Sequence, residues 1–344
     1  MLKPKFTITN KITAAITAIE RTRGFLEAAA LSDFWVETMQ NRALVLEAHH
    51  TTHIEGTHLT LDQSEQLLAG HTVTGANPDD TKELLNYKIA FEFISKCLLQ
   101  NEPISEQLIC GIHERLVKGV RGNNAMPGEY RIDQNCVINS ITKKVIYMPP
   151  PPEEVRGMMI ELVNWLNATT EINAILVSAI AQFQLVHIHP FLDGNGRTAR
   201  LLSTFCLYQK GYDFKRLFTI SEYYDRKRTD YYNAIQNVRD NNMDMTRWLE
   251  YFCEGLSTQL QEVKAKGMQF IKQSELTWLH NLSQRQKLAV NHVLSNGFLS
   301  IGDYQILCPE VSRRTLQREI QDLVEKNIFQ STGSTNKLIY KIKN

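Results

Sequence analysis

The segment between residues 189 and 200 is the most informative part of this sequence: His189-Pro-Phe-Leu-Asp-Gly-Asn-Gly-Arg-Thr-Ala-Arg200. It follows an almost wholly apolar stretch, EINAILVSAIAQFQLVHI, at 171–188. A helix that is apolar on all sides is typical of the buried centre of a domain. Pro190 favours a helix end at His189, because the residue before proline avoids the α region. The pattern therefore predicts a polar, glycine-rich loop between a buried helix and a second helix that starts near Gly194.

The loop combines several residue types that bind or transfer phosphate. Glycines at 194 and 196, with Asn195 between them, stand just before a helix, where exposed N–H groups and the helix dipole attract anions. Arg197 and Arg200 are three residues apart and share a helix face, so two guanidinium groups could clamp successive phosphates. Asp193 offers a hard oxygen ligand for Mg²⁺, and His189 can take up a proton near neutral pH. Together these residues predict a nucleotide transferase.

Each residue also has an ordinary structural explanation when it is taken alone. A Gly-Asn-Gly sequence is commonly a turn, a histidine before proline is commonly structural, and two arginines on a helix are commonly a solvated face. The pair His187 and His189 resembles part of a zinc site, but zinc needs three or four ligands. The other histidine-rich segment, HHTTH at 49–53, lacks the glutamate of HExxH. We therefore expect no transition-metal site.

The segment HPFLDGNGRTAR resembles the signature of the Fic family, HxFx(D/E)GNGRxxR, at every defined position. Thr51-Thr-His-Ile-Glu-Gly56 resembles the inhibitory-helix motif, [S/T]xxxE[G/N], of Fic proteins that carry it before the core. A predicted hairpin, with Val137-Ile138 on one arm and Val145 to Tyr147 on the other, precedes four prolines and resembles the Fic flap. The likeness covers about residues 30–250.

The resemblance implies a protein adenylyltransferase, which moves AMP from ATP to a Ser, Thr or Tyr hydroxyl of a protein, self-modification included. It makes His189 the general base and Asp193 the Mg²⁺ ligand. It places Arg197 on the polyphosphate, and Arg200 on the γ-phosphate or on Glu55 when the enzyme is inhibited. The implied ATP-binding set is Gly194, Asn195, Gly196, Arg197, Thr198, Ala199, Arg200 and Tyr231. Tyr231 matches the family's nucleobase contact, although it could equally be a core aromatic.

Two related activities use a similar core. Kinase-type Doc toxins have Ala-Asn-Lys where this chain has Gly194-Asn195-Gly196. Phosphocholine transferases use the same core with CDP-choline. The intact GNGR sequence and the inhibitory motif both favour ATP and AMP for this chain.

Glu55 and Thr51 belong to the element that resembles an inhibitory helix. Locally, Glu55 before Gly56 is no more than an acidic residue at a helix end. The resemblance implies that Glu55 pairs with Arg200 and so displaces the γ-phosphate, which misplaces ATP for in-line attack. Glu55 could instead orient a water that removes AMP, and the sequence leaves both roles open.

Composition excludes several other classes of protein. The chain has 344 residues, 43% of them hydrophobic and 22% charged, with a net charge of +1. The hydrophobic and charged fractions are typical of globular domains. A net charge this small produces no electrostatic attraction of the whole chain to nucleic acid or membrane. We find no span of the ~18 apolar residues needed to cross a bilayer and no signal peptide. The six cysteines form no CxxC pair, so we expect reduced thiols in a cytoplasmic protein.

The helical patterns predict a mainly α protein, and the resemblance implies that it contains a Fic helical core with a small flap hairpin. The pattern of the last segment predicts a C-terminal winged helix-turn-helix. The predicted boundaries are an N-terminal helical region with the inhibitory helix at 1–105, the catalytic core at 106–250, a connecting helix at 251–275 and the winged unit at 276–344. This last segment has nine basic and five acidic residues.

The basic residues of the winged unit suggest a recognition helix and a wing. They are Arg313, Arg314, Arg318, Lys337, Lys341 and Lys343. This arrangement fits DNA binding, although some winged helices bind only other proteins.

DNA binding by this unit suggests an alternative function for the whole chain, that of a DNA-binding transcriptional regulator whose Fic core only senses nucleotide. A complete catalytic motif argues against it, because a sensor would not need His189. Dimerisation, the target protein and the modified side chain stay open.

Overall fold

A computed structural model of the chain describes residues 2–120, 124–138, 145–168, 171–334 and 338–343. These residues form fourteen α-helices and four short strands, which confirms the mainly α fold predicted from the sequence. The helices are α1 (Asn10–Ala28), α2 (Asp33–Ile54), α3 (Leu61–Leu68), α4 (Pro78–Leu99), α5 (Glu106–Val117), α6 (Pro152–Ala168), α7 (Ala174–Ile188), α8 (Asn195–Gln209), α9 (Ile220–Arg226), α10 (Arg228–Asp240), α11 (Thr246–His280), α12 (Gln284–Asn296), α13 (Ile301–Leu307) and α14 (Arg313–Glu325). The strands are β1 (Val137–Ile138), β2 (Val145–Tyr147), β3 (Phe329–Thr332) and β4 (Ile339–Ile342).

The chain divides into two compact units. One comprises residues 1–27 and 33–261, and the other residues 28–32 and 262–344. The chain passes from one unit to the other within α11, a helix of 35 residues. This helix runs through residues 250 and 275, where the sequence suggested boundaries. No helix in the described part of the chain is long and apolar enough to cross a membrane.

Helix α7 forms the centre of the first unit, as its apolar sequence predicts. Its residues from Ile175 to Leu185 are all buried. It packs along α8, and the Ser178 hydroxyl donates to the carbonyl oxygen of Ser203 at 2.8 Å. The Trp248 indole, which is wholly buried, donates to the Ala179 carbonyl oxygen at 2.8 Å. Because α7 is fixed on several sides, the loop that follows it starts from a rigid base.

The predicted hairpin is present as the antiparallel pair β1–β2, with Val137 opposite Tyr147. The turn between the strands, at 139–144, lies outside the described residues. Side chains on both strands are exposed, including Ile138 (49%) and Val145 (55%). A two-stranded ribbon of this length has little stability of its own, so its anchoring to the rest of the first unit matters for its position.

In the second unit, three helices pack beside the antiparallel pair β3–β4. Helix α12 starts at a capping box made by Ser283 and Gln286, and it ends at Gly297, which has a φ of 84°. Leu299 pairs with Tyr340 through two backbone hydrogen bonds of 2.9 and 2.8 Å, which adds a third short strand segment. The apolar face of α14 is buried through Leu316, Ile320 and Leu323. Lys337 lies outside the described residues.

Candidate active site

His189 occupies a strained position at the end of α7. It is the C-cap residue and has left-handed backbone angles, φ 52° and ψ 56°, which are uncommon for a residue other than glycine. Arg131 holds this turn: its Nε donates to the His189 carbonyl oxygen at 2.9 Å, and its backbone N–H donates to the Pro190 carbonyl oxygen at 2.8 Å. Such strain persists where surrounding contacts enforce it, and it is common at functional sites.

The surroundings of the His189 ring leave one nitrogen able to accept a proton. Nδ1 lies 3.3 Å from the carbonyl oxygen of Val186. A carbonyl oxygen only accepts, so Nδ1 carries the hydrogen and Nε2 is the acceptor. Burial lowers the pKa of His189 to about 4. The ring is therefore neutral at physiological pH, which is the state required of a general base.

The loop after His189 is fixed mainly by amide side chains. Asn195 accepts a hydrogen bond from the Phe191 N–H at 3.0 Å and donates to the Phe191 carbonyl oxygen at 2.7 Å. Asn135, from the segment before the flap, donates to the same carbonyl oxygen at 3.0 Å. Phe191 is completely buried. The Asn195 side chain thus shapes the loop, while the backbone N–H groups at the start of α8 are the groups that can meet an anion.

His113 also supports the loop, and the sequence reasoning missed it. It is fully buried on α5 and stacks on Phe191 with ring centroids 3.7 Å apart. Its Nδ1 accepts from the Gly128 N–H at 3.0 Å, so Nε2 must donate to the Asp193 carbonyl oxygen, 2.9 Å away. Burial lowers the pKa of His113 to about 4. A single histidine within a helical pattern, between Ile112 and Glu114, gave no signal in the sequence.

The two glycines of the loop have different surroundings. Gly194 has φ +78°, and a Cβ there would lie 2.7 Å from the Val117 side chain. A side chain at Gly196 would instead collide with the Glu55 carboxylate. Glu55 therefore lies directly against the first turn of α8, at the place where the sequence predicts a phosphate.

Asp193 and Arg197 lie beside this glycine loop. Asp193 Oδ1 accepts from the Gly194 N–H at 2.6 Å and is 3.7 Å from Arg197 Nη2. The Asp193 side chain is 43% exposed, so solvent reaches this carboxylate. Mg²⁺ commonly binds through one or two carboxylates together with substrate phosphates and waters. A half-exposed carboxylate beside the glycine loop fits that donor set.

Arg197 forms a buried ion pair that the sequence did not reveal. Its Nη1 lies 2.5 Å from Oε2 of Glu83, and both side chains are almost completely buried. Glu83 is on α4, 114 residues earlier in the chain. The two motif arginines, although three residues apart on α8, pair with carboxylates from different segments of the chain: Arg197 with Glu83 and Arg200 with Glu55.

Arg200 pairs with the end of α2, as the resemblance implies. Its Nη2 is 2.7 Å from Glu55 Oε1 and 3.0 Å from the Thr51 carbonyl oxygen. Its Nε donates to the Thr51 hydroxyl at 2.7 Å. Burial lowers the pKa of Arg200, but the nearby Glu55 carboxylate favours the charged guanidinium, and the net shift of the pKa is upward. Helix α2 ends at Ile54, so Glu55 is the first residue beyond it.

Three other residues of the predicted ATP site are buried. Thr198 and Ala199 have no exposed surface, and the Thr198 hydroxyl donates to the Gly194 carbonyl oxygen at 2.9 Å. Tyr231 is only 2% exposed and stacks on Tyr224 with centroids 4.5 Å apart. Its hydroxyl is 3.5 Å from Arg200 Nη1. In this structure Tyr231 is therefore a core aromatic at the edge of the site.

The flap is attached to the end of α7. The Tyr147 hydroxyl, from β2, lies 2.8 Å from both Nδ1 and the carbonyl oxygen of His187. The Arg239 guanidinium carbon lies 3.4 Å from the centroid of the Tyr147 ring. His187 thus anchors the flap to the end of α7. No group of three or more His, Cys, Asp or Glu among the described residues could hold a metal by itself.

Acid should destabilise the fold through three histidines whose pKa is lowered in the folded state. Burial lowers the pKa of His113, His187 and His189 to about 4 in each case. In the unfolded chain these rings protonate near pH ~6.5. As the pH falls from about 6.5 toward 4, the unfolded state binds more protons than the folded state, so the free energy of unfolding decreases.

We expect the melting temperature to fall over that interval and His113→Gln to reduce the slope. Thermal unfolding at several pH values measures both, and His71→Gln, which replaces an exposed histidine, is the matched control. A slope unchanged by His113→Gln would show that His113 does not contribute to the acid sensitivity.

Comparisons with known proteins agree with this geometry. Residues 103–207 match the model of the Fic/DOC family. The chain is 30% identical over 200 residues to protein adenylyltransferase Fic of Drosophila ananassae and 31% identical over 201 residues to that of Drosophila melanogaster. These matches cover 57% and 58% of this chain, but only 38% and 37% of the relatives. The chain therefore spans well under half the length of these curated relatives.

Solved structures of Fic proteins share the fold. A Fic family protein from Desulfovibrio desulfuricans G20 superposes with a TM-score of 0.65 at 22% identity, covering 99% of this chain and 98% of that one. Fic-1 from C. elegans superposes with a TM-score of 0.62 at 25% identity, covering 76% of this chain and 73% of that one. The family match includes the loop that carries His189, and the helices around that loop have the arrangement found in Fic proteins. By this match, residues 103–207 of the chain form a Fic domain.

Proposed function

We propose that the protein is a nucleotidyltransferase that moves AMP from ATP to a Ser, Thr or Tyr hydroxyl of a protein, itself included. The observation that carries this proposal is the position of His189. Its neutral ring, with Nε2 as acceptor, stands at the entrance to a glycine loop bordered by Asp193, Arg197 and Arg200. The name of the Drosophila relatives, protein adenylyltransferase, supports the same reaction.

The reaction needs one proton acceptor and several phosphate contacts. The target hydroxyl oxygen forms a bond to the α-phosphorus of ATP, its proton passes to His189 Nε2, and the bond to the β-phosphate oxygen breaks to release pyrophosphate. The backbone N–H groups of Asn195 and Gly196, at the start of α8, face the phosphates, and Arg197 and Arg200 balance their charge. Asp193 would hold Mg²⁺, which neutralises charge on the phosphates when it is bound.

We propose further that the enzyme is autoinhibited when Glu55 is paired with Arg200. Glu55 holds Arg200 and lies against Gly196. A γ-phosphate that approached Arg200 would meet a carboxylate first, so ATP would bind with its phosphates displaced. In its alternative role, Glu55 orients a water that removes AMP, and this role needs the carboxylate at the same place. Loss of AMP removal in Glu55→Gly, with AMP addition unchanged, would support the alternative.

The test of transfer uses ATP labelled at different phosphates. We expect the protein to retain label from the α-phosphate, but not from the γ-phosphate, after denaturation. Retention of γ-label would instead indicate a kinase. Retention of neither label, in a variant lacking Glu55, would favour the second candidate, a DNA-binding regulator that only senses nucleotide.

The specific observation behind the second candidate is the surface of α14. Arg313, Arg314 and Arg318 are exposed, whereas Leu316 and Ile320 on the same helix are buried. An exposed basic helix beside a β-hairpin fits a winged helix-turn-helix with α14 in a DNA major groove. We propose this module at 276–344 as a DNA-binding unit, with the connecting helix at 251–275, the catalytic core at 106–250 and the inhibitory region at 1–105.

Arg314→Ala or Arg318→Ala should weaken DNA binding measured on random-sequence duplex. Removal of one arginine–phosphate interaction should reduce the slope of log affinity against log salt by about 1. Arg21→Ala, which removes an exposed arginine from α1, is the matched control. If the unmodified protein binds no DNA at low salt, the module serves protein contact or dimerisation instead.

The described cysteines form no disulfide. Free thiols are typical of a reducing compartment, which supports our proposal that the protein acts in the cytoplasm.

A further inference from the structure

The end of α2 is held from a second side, away from Arg200. Oδ2 of Asp225, on α9, lies 2.9 Å from Nδ1 of His50 and 2.8 Å from Nδ1 of His53. The Asp225 side chain is only 9% exposed. Burial raises the pKa of Asp225, but the hydrogen bonds from the two rings lower it more, so the net shift is downward. Since an ionised carboxylate only accepts, both rings donate their Nδ1–H groups to one oxygen.

Arg228, the first residue of α10, extends this contact. Its Nη2 donates to the carbonyl oxygen of His53 and lies 3.4 Å from Oδ1 of Asp225. The last carbonyl groups of a helix lack partners within the helix and form the negative end of its dipole. At the end of α2, Arg228 caps the His53 carbonyl and Arg200 caps the Thr51 carbonyl. Two guanidinium groups from different helices therefore hold the same turn.

ATP binding should affect the Arg200 contact with the end of α2 but not the Asp225–Arg228 contact. A γ-phosphate competes for Arg200, which would free Glu55 and Thr51. The Asp225–Arg228 contact involves no group that ATP would touch among those assigned above, so it persists when nucleotide arrives. It keeps the last turn of α2 in place, one residue before Glu55. Glu55 then stays near Arg200 and can return to it.

We propose that Asp225 and Arg228 are positioning residues that hold the end of α2 and thereby set the strength of inhibition by Glu55. The inference rests on the proposed transferase function, which it refines. It predicts that loosening this contact activates the enzyme without any change to Glu55, Arg200 or the motif loop. The occupancy of the inhibited state is then set by α9 and α10 as well as by the active site.

The test compares four proteins: the unmodified chain, Asp225→Asn, Glu55→Gly and the double variant. Asparagine is isosteric with aspartate but uncharged, and a hydrogen bond to a charged group is stronger than a neutral one. We expect Asp225→Asn to raise the initial rate of self-labelling by roughly tenfold. In the Glu55→Gly background the same substitution should have no effect, because its action passes through Glu55. Asp230→Asn, an exposed acidic residue on α10, is the matched control.

A second readout does not depend on catalysis. Amide hydrogen exchange at residues 51–57 should become faster in Asp225→Asn, while exchange in α7 stays unchanged. Unchanged labelling and unchanged exchange at 51–57 would overturn the inference. An equal decrease of labelling in both backgrounds would also overturn it, since it would show a general structural role. If Glu55→Gly itself never labels, the proposed function fails, and exchange alone still decides whether Asp225 holds α2.

Discussion

Glu55→Gly is expected to raise the rate of AMP transfer by about a hundredfold, because a displacement of about 1 Å in a reacting group can cost that factor. In the structure, Glu55 occupies Arg200 at 2.7 Å and lies against Gly196. Removing the carboxylate frees one side of the guanidinium group and clears the first turn of α8. The γ-phosphate can then take the position that the carboxylate held. The measurement is the time course of AMP addition by intact mass at equal ATP concentrations.

The control for this variant is Glu37→Gly, which removes an exposed glutamate within α2, the helix that Glu55 follows. It makes the same exchange of glutamate for glycine, here inside the helix, where glycine is destabilising. Equal labelling by Glu55→Gly and the unmodified protein would make Glu55 an ordinary residue at a helix end. Slower labelling together with a lower melting temperature would make it structural. A selective loss of AMP removal, with addition unchanged, would assign it to the positioning of water.

His189→Ala is expected to lower AMP transfer by about 10²–10⁴-fold, the usual effect of losing a general base. ATP binding should be largely retained, because the phosphate contacts come from the glycine loop and the arginines. The structure supports this separation: His189 lies at the end of α7, whereas the cradle begins at Gly194, the N-cap residue of α8. Transfer is measured by intact mass and ATP binding by calorimetry, both in the Glu55→Gly background.

His71→Ala is the control for the loss of a histidine, since His71 is exposed in a turn after α3. Transfer by His189→Ala at the rate of its parent would remove the assignment of the base. If ATP binding and transfer both disappear, His189 maintains the conformation of the loop instead of acting as the base. Its left-handed backbone conformation makes this the specific outcome to test.

Local patterns predicted much of the fold and the core of the site. The apolar run at 171–188 gave the buried α7, and the arms of the flap hairpin were predicted at the residues that form β1 and β2. His189 and the glycine loop belong to one short segment, residues 189–200, so their proximity follows directly from the sequence. The pairing of Glu55 with Arg200 spans 145 residues and was reached only through the resemblance to Fic proteins.

Other contacts of the site depend on packing between distant segments and left no local signal. Glu83 meets Arg197 across 114 residues, and the contacts of Asp225 with α2 span 172 and 175. Glutamate on an amphipathic helix usually lies in solvent, so nothing marked Glu83 as buried. The sequence HHTTH gave no indication that His50 and His53 donate to one carboxylate, because Asp225 lies far away in the chain.

The most direct test of the proposed function is the intact mass of two proteins after incubation with ATP and Mg²⁺: Glu55→Gly and Glu55→Gly/His189→Ala. We predict that the single variant gains the mass of one or more adenylyl groups and that the double variant gains none over the same time. Addition by both at equal rates, or by neither at any ATP concentration, would contradict the assignment of this site as an autoinhibited adenylyltransferase with His189 as its base.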